Sequence, residues 1–350
     1  MTVEKKLFAS QVREGQVVED LFMVKERNRA ETRSGNPYLI LSLMDRSGEV
    51  AGRLWDNVDA QMSKCEPGNL LHVKALAQTY RGNLQLKIDS IHQLENGEVD
   101  LSLFLPSSKM SIDDMARELH SLALRVKNAF FNKLLLKFFD DRSFFNDFQR
   151  APAAKSMHHA YLGGLLEHTL AVAKLAEIIA GFYPSLDRDL LMTGALLHDI
   201  GKTEEFTFDT YPFDYTDKGR LMGHLVLGAE MIRERINNLS NFPDDQSTRL
   251  QHLVLSHHGR YEFGSPCLPM MSEAFVLNFL DDLDAKLNFI GRLEDQAPET
   301  GYQWTDFQRT LERFLFVNGR LHTESEPSGK VVQHDPGEND KHNSKQQQLF

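Results

Sequence analysis

The chain has 350 residues, 41% hydrophobic and 25% charged, a balance that suits a soluble globular protein of two domains rather than one. No apolar run approaches the roughly 20 residues needed to cross a bilayer, and the charged N-terminus lacks the apolar core of a secretory leader, so no membrane partner is expected. The net charge of −11 argues against a bulk nucleic-acid binder, and Cys65 and Cys267 alone make neither a disulfide framework nor a metal spacing, which suits a reducing cytoplasm.

The charge is uneven. Residues 1–93 carry 13 Lys/Arg against 12 Asp/Glu, net +1, which leaves −12 for the rest. An acidic second part is reasonable if its carboxylates hold divalent cations.

The first 95 residues read as strands separated by turn residues. The apolar stretch 17–24 comes first, and after Ser34-Gly35-Asn36-Pro37 a second strand covers 38–44. Asp45-Arg46-Ser47-Gly48 turns the chain into a third strand, 49–55. A short helix follows, then strands 70–80 and 84–94 joined at Arg81-Gly82-Asn83. Five strands with a helix between the third and fourth is the order of an OB-fold barrel.

Residues 96–110 are expected as a linker. Ser111-Ile112-Asp113-Asp114 has the form of a helix N-cap, and helical periodicity runs from there to about Gly319. Leu162, Leu165, Val172, Leu175 and Ile179 share one helix face, and Gly163-Gly164 is placed inside that helical stretch. The expected class is α+β: a barrel over residues 1–95 and an all-α domain over 111–322. The polar segment 323–350 is expected to be disordered.

Histidines punctuate the helical part. His168 lies on the apolar stripe, His198-Asp199 closes the helix 190–197, and His224 sits in the helix 221–236. His257-His258 closes the helix 250–256, and Asp281 falls four residues after Leu277 in an apolar run. A single histidine on an apolar face is usually a satisfied core residue. Here that reading must hold repeatedly, and a buried ionised Asp199 or Asp281 costs several kcal/mol unless paired or metal-bound. Imidazole with carboxylate suits borderline divalent ions, and Asp199 beside His198 could bridge two of them.

His168, His198-Asp199 and Asp281 resemble the H…HD…D pattern of the HD-domain phosphohydrolase superfamily, and His224 with His257-His258 resembles its two-metal members. The resemblance implies one metal on His168, His198, Asp199 and Asp281 and another on Asp199, His224, His257 and His258. Lys202, in His-Asp-Ile-Gly-Lys, corresponds to a lysine that faces the scissile phosphate. Manganese is the first expectation for the ions, with iron, zinc, nickel or cobalt as alternatives. Residues 35–39 through 54–56, His158-His159-Ala160-Tyr161, the segment 164–169, His257-His258-Gly259 with residues 262–266, and residues 282–286 narrow the resemblance to YhaM-type 3′-to-5′ exoribonucleases over about residues 10–320. That family implies hydrolysis of single-stranded RNA, and of DNA as a further substrate, by a metal-activated water.

His158 and His159 are weighed as substrate-phosphate contacts against a surface pair near a helix start. Lys25, Arg27, Arg29 and Arg33, with Tyr38, Trp55 and Tyr80 for stacking, are read as a single-strand path; for each aromatic alone, core packing is the simpler reading. Glu262 is either support for a metal ligand or a solvated loop carboxylate, and Asp284 and Lys286 are read as ordinary helix-face residues. Two rivals stay open. One is a phosphohydrolase of nucleotides or cyclic dinucleotides, although no Gly-Tyr-Pro follows His257-His258; the other is a nucleic-acid-binding regulator with an inactive HD domain. The terminal Gln346-Gln347-Gln348-Leu349-Phe350 resembles peptides that dock on the bacterial sliding clamp, against chance or self-packing. A homo-oligomer is also left open.

Overall fold

The computed structural model describes residues 5–32, 34–80, 82–94, 103–155, 159–208, 212–297 and 300–319. Arg33, His158 and the clamp-like segment 346–350 lie outside the described residues. The chain forms two compact units, divided between Gly291 and Arg292.

The first unit begins with a closed barrel of order β1-β2-β3-β5-β4, built from β1 (Val17–Glu31), β2 (Pro37–Asp45), β3 (Gly48–Leu54), β4 (Leu70–Tyr80) and β5 (Asn83–Gln93). The long first strand pairs with both β4 and β2, and a bulge between Val24 and Glu26 bends it from one partner to the other. Val18, Phe22, Leu39, Leu41, Leu43, Leu54, Val73 and Ile88 fill the interior, and α1 (Val58–Met62) adds Val58.

Leu21, Met23, Met44, Leu70 and Leu94 belong to a different cluster, shared with Phe104, Leu105, Met115 and the helical core. The barrel's outer face is therefore dry against the helices. The described part of the expected linker is packed rather than loose: Phe104 and Leu105 are buried, and Ser108 N–H donates to the Leu162 carbonyl at 2.9 Å. Lys5 ties the N-terminal segment down, with its ammonium 2.9 Å from Asp45 and 3.8 Å from the centre of the Phe22 ring. Burial lowers the Lys5 pKa, against the pull of Asp45.

The helical body contains α2 (Ile112–Leu124), α3 (Ala129–Phe139), α4 (Arg142–Arg150), α5 (Gly164–Phe182), α6 (Arg188–Leu197), α7 (Lys202–Glu205), α8 (Asp217–Asn237), α9 (Asp244–Ser256) and α10 (Ser272–Gln296). Side-chain caps start several of them: Ser111 for α2, Asn128 for α3, Asp141 for α4, Asp187 for α6 and Thr216 for α8. Between α7 and α8, β6 (Phe206–Thr207) pairs with β7 (Asp214–Tyr215).

Two glycines shape the site. A Cβ on Gly201 would lie 2.1 Å from the His224 carbonyl oxygen, so only glycine lets the α6–α7 corner approach α8. Gly223 interrupts α8 at φ +72°, immediately before His224. The Gly163-Gly164 expectation is corrected: Gly163, at φ +80°, is the cap of α5 and not an interior residue.

The expected helical run to residue 319 ends at Gln296. In the second unit β8 (Gly301–Trp304) pairs with β9 (Phe316–Gly319) in an antiparallel hairpin. Phe316 on one strand contacts both Tyr302 and Trp304 on the other, which favours extended chain over helix.

The shared core makes one prediction. Met23→Ala, at a position 1% exposed, should cost about 2–5 kcal/mol. Barrel and helices should then melt in a single transition at lower temperature. Two separate transitions in calorimetry would contradict the shared core.

Candidate metal centre

Five helices and the α6–α7 corner deliver the histidines and carboxylates to one buried place. α5 carries His168, while His198 and His257 are the residues that end α6 and α9. Each of these two uses its helix terminus alike: His198 Nδ1 lies 2.9 Å from the Ala195 carbonyl and His257 Nδ1 2.8 Å from that of Val254. The other three rings are held by more distant acceptors. His168 Nδ1 is 2.7 Å from Asp284, His258 Nδ1 is 2.7 Å from the Phe263 carbonyl, and His224 Nδ1 is 3.0 Å from both Glu205 oxygens.

These partners accept hydrogen bonds and do not donate them, so every Nδ1 carries the proton. Every Nε2 then presents a lone pair, and the five lone pairs converge on the carboxylates of Asp199 and Asp281. His168 Nε2 is 3.1 Å from His198 Nε2 and 3.1 Å from Asp281 Oδ1. Asp199 Oδ2 is 3.5 Å from His168 Nε2 and 3.3 Å from His198 Nε2. The other oxygen, Asp199 Oδ1, is 3.5 Å from both His224 Nε2 and His257 Nε2, and His224 Nε2 is 3.2 Å from His258 Nε2.

Acceptors facing acceptors at such distances repel unless a cation lies between them. Ligands about 2.1 Å from an ion stand roughly 3.0–3.4 Å apart at octahedral or tetrahedral angles. The donor set therefore fits divalent metal. Asp199 Oδ1 and His257 Nε2, both buried and without a hydrogen-bond partner, add the same test.

The electrostatics agree. Burial lowers the His257 pKa to about 3, so the ring stays neutral. Burial works against ionising Asp199 and Asp281, yet Lys202 and His198 hold the first well below the usual carboxylate range, and His168 leads in holding the second there. Burial also opposes charge on His168, but Asp281, Asp284 and Asp199 overrule it and raise its pKa to about 9. A proton or a metal ion answers the same demand for positive charge.

The structure brings His168, His198, Asp199, His224, His257, His258 and Asp281 together. Lys202 is buried beside them, and its ammonium donates to Asp199 Oδ2 at 2.6 Å. His159 lies behind the cluster rather than in an open groove. It is 2% exposed at φ +47°, with Nε2 3.0 Å from Asp284 and Nδ1 accepting from the Tyr161 hydroxyl at 2.8 Å.

Sequence reasoning missed Asp284 and Glu205. In sequence Asp284 looks like an ordinary helix-face residue, but its Oδ2 accepts from both His168 and His159. A signal existed: Asp281, Asp284 and Asn288 continue the buried stripe of Leu277 at helical spacing. Glu205 gave none, because its contact with His224 depends on the approach of α7 to α8. Lys286 pairs with Asp282 at 2.5 Å, as an ordinary helix-face residue does. Glu262 is exposed, and its backbone belongs to the turn that holds His258.

Two family descriptions match: "HD domain" over residues 165–286 and "OB-fold nucleic acid binding domain" over residues 23–94. Curated relatives named 3′-5′ exoribonuclease YhaM match much more of the chain. The Geobacillus sp. protein is 35% identical over 81% of this chain and 87% of its own length. That of Halalkalibacterium halodurans is 34% identical over 79% and 86%, and that of Bacillus subtilis 33% over 88% and 96%. The chain belongs to the YhaM family.

On the OB barrel of this YhaM-family chain, the expected strand path is partly occupied by internal pairs. Lys25 pairs with Glu49, Arg27 with Glu66 at 2.7 Å, and Arg29 with Asp59 at 3.4 Å. Such exposed pairs are worth little and exchange readily. Tyr38 stacks on Trp55, with ring centres 4.4 Å apart. Trp55 is 43% exposed and lines an open cleft of about 690 Å³ with Thr32, Asn36, Asp56, Asn57 and Asp59; Tyr80 is exposed elsewhere on β4.

The two supporting carboxylates yield separable predictions. Metal titration should show about 10–100-fold weaker binding for Asp284→Ala, confined to the set around His168, and a similar loss for Glu205→Ala at the set around His224. Asp199→Ala should empty both. Wild-type metal affinity in Glu205→Ala would refute the tautomer argument.

Proposed function

We propose that this chain is a metal-dependent 3′-to-5′ exoribonuclease that shortens single-stranded RNA by one nucleotide at a time and acts on single-stranded DNA by the same chemistry. The observation that carries this reading is the convergence of five imidazole Nε2 atoms and two carboxylates, with Asp199 turning one oxygen to each half. Its second support is the family itself, whose curated members are named 3′-5′ exoribonuclease.

In this reading His168, His198, Asp199 and Asp281 hold one ion and Asp199, His224, His257 and His258 a second, with manganese first among the borderline metals. Bound there, the ions supply Lewis-acid charge for the phosphate and an activated water. The remaining work falls to the chain. Asp284 and Glu205 keep His168 and His224 in the ligating tautomer. Lys202 gives one of its three N–H donors to Asp199 and keeps two for the non-bridging oxygens of the scissile phosphate. His159, expected at the substrate, instead positions Asp284.

The exposed Trp55 ring supports a base-stacking role for the barrel, away from the scissile bond. The carboxylates of Asp56 and Asp59 in the same cleft suit base edges better than phosphates. The free thiols Cys65 and Cys267 support a cytoplasmic setting, and among the described residues no helix is long and apolar enough to cross a membrane.

The decisive experiment supplies manganese-loaded protein with 5′-labelled single-stranded RNA. A ladder that shortens from the 3′ end, with release of mononucleotides, is expected. Hydrolysis confined to mononucleotides or cyclic dinucleotides would overturn the reading.

Two variants refine it. Lys202→Ala should keep its metal while turnover falls by roughly 10²–10³. Metal loss would instead make Lys202 a structural partner of Asp199. Trp55→Ala should weaken binding of a long RNA by about tenfold and leave a dinucleotide unaffected; equal effects on both would remove the barrel from substrate binding.

A further inference from the structure

The turn after His257-His258 holds an unused pair of aromatic rings. Tyr261 and Phe263 lie on a single 3-10 turn and are 62% and 61% exposed. The turn that carries them is fastened. Phe263 N–H and Ser265 N–H both donate to the Arg260 carbonyl at 3.2 Å, and Gly264 N–H donates to that of Tyr261 at 2.9 Å. The buried Ser265 hydroxyl donates to the Leu255 carbonyl at 3.2 Å, tying the turn to α9. The Arg260 guanidinium stands 5.7 Å from the centre of the Phe263 ring.

The turn is also joined to the metal centre. The Phe263 carbonyl accepts from His258 Nδ1 at 2.7 Å, so one imidazole ring separates the backbone of Phe263 from the ligating Nε2. In a terminal nucleotide, one ribose separates the scissile phosphate from the base. The backbone that carries the Phe263 ring thus lies one imidazole ring from the cluster, on the same scale as the ribose between phosphate and base.

We infer that Phe263, with Tyr261 beside it, is a stacking platform for the base of the 3′-terminal nucleotide. The inference rests on the nuclease reading and deepens it by naming a contact to the base rather than to the phosphate. A ring on a fastened backbone stacks at a smaller ordering cost than one on a loose loop, and stacking accepts any of the four bases because each has a π-face. That is the tolerance a non-specific exonuclease needs. The platform and the metal support are separable, because His258 is held by the Phe263 backbone and not by its ring.

The test uses the full-length, metal-loaded protein and two RNAs that differ only at the 3′ end: a normal nucleotide or an abasic ribose phosphate. Removal of the first residue is followed in single turnover, with bound metal measured in parallel. Phe263→Ala should keep its metal, lose about tenfold in kcat/KM on the normal RNA, and match wild type on the abasic RNA. Phe263→Trp should restore the normal rate, and Tyr261→Ala should show a smaller loss in the same sense. Equal losses on both RNAs would make the ring structural. No loss on either would overturn the platform, and a changed sedimentation coefficient in that case would assign the rings to a protein contact. If wild-type protein released no nucleotide from either RNA, the nuclease reading itself would fall, and this inference with it.

Discussion

Five imidazole lone pairs and two carboxylates are packed where water is largely excluded, and this set is stable only around positive charge. The surrounding fold is arranged to create that demand. Helices α6 and α9 end at the site, so that their last carbonyls take the protons of His198 and His257. α10 turns one face inward, which sets Asp281 Oδ1 against His168 Nε2 and Asp284 as the anchor of His168. The break at Gly223 and the bare surface of Gly201 let α7 bring Glu205 behind His224. Each device addresses one ring, yet each has the same effect: the proton sits on Nδ1 and Nε2 is left to ligate.

Lys202 shows why the cluster also needs charge of its own. A buried carboxylate shared between two halves of a site is costly when the halves are empty, and the ammonium 2.6 Å away offsets that cost. In the proposed function the same ammonium would turn to an anionic substrate once metal charge supports Asp199, so that ion pair and phosphate contact would be two states of one side chain.

The barrel is more than an appendage. Its interior is its own, but Leu21, Met23, Met44, Leu70 and Leu94 share the core of the helical body, as do Phe104 and Leu105 from the expected linker. A barrel fused in this way keeps a fixed position with respect to the cluster of histidines and carboxylates. A strand held at Trp55 would therefore meet the site at a set distance rather than on a flexible tether.

Much of this was legible in the amino-acid order. Alternating apolar residues and Gly- or Asn-bearing turns specify five strands locally, and the ligands stand out because His and Asp interrupt apolar helix faces, which is expensive without a compensating charge. The hairpin past residue 300 escaped because its few aromatics fit either period until they meet across strands. Glu205, Asp284 and the buried place of His159 were decided by tertiary structure alone. A supporting residue is defined by the ring it touches, 19 residues away for Glu205 and 116 for Asp284, and no local pattern encodes such a contact. The sequence by itself determined which atoms could bind metal; only the packing of α5, α7, α8 and α10 decided which nitrogen of each ring was free to do it.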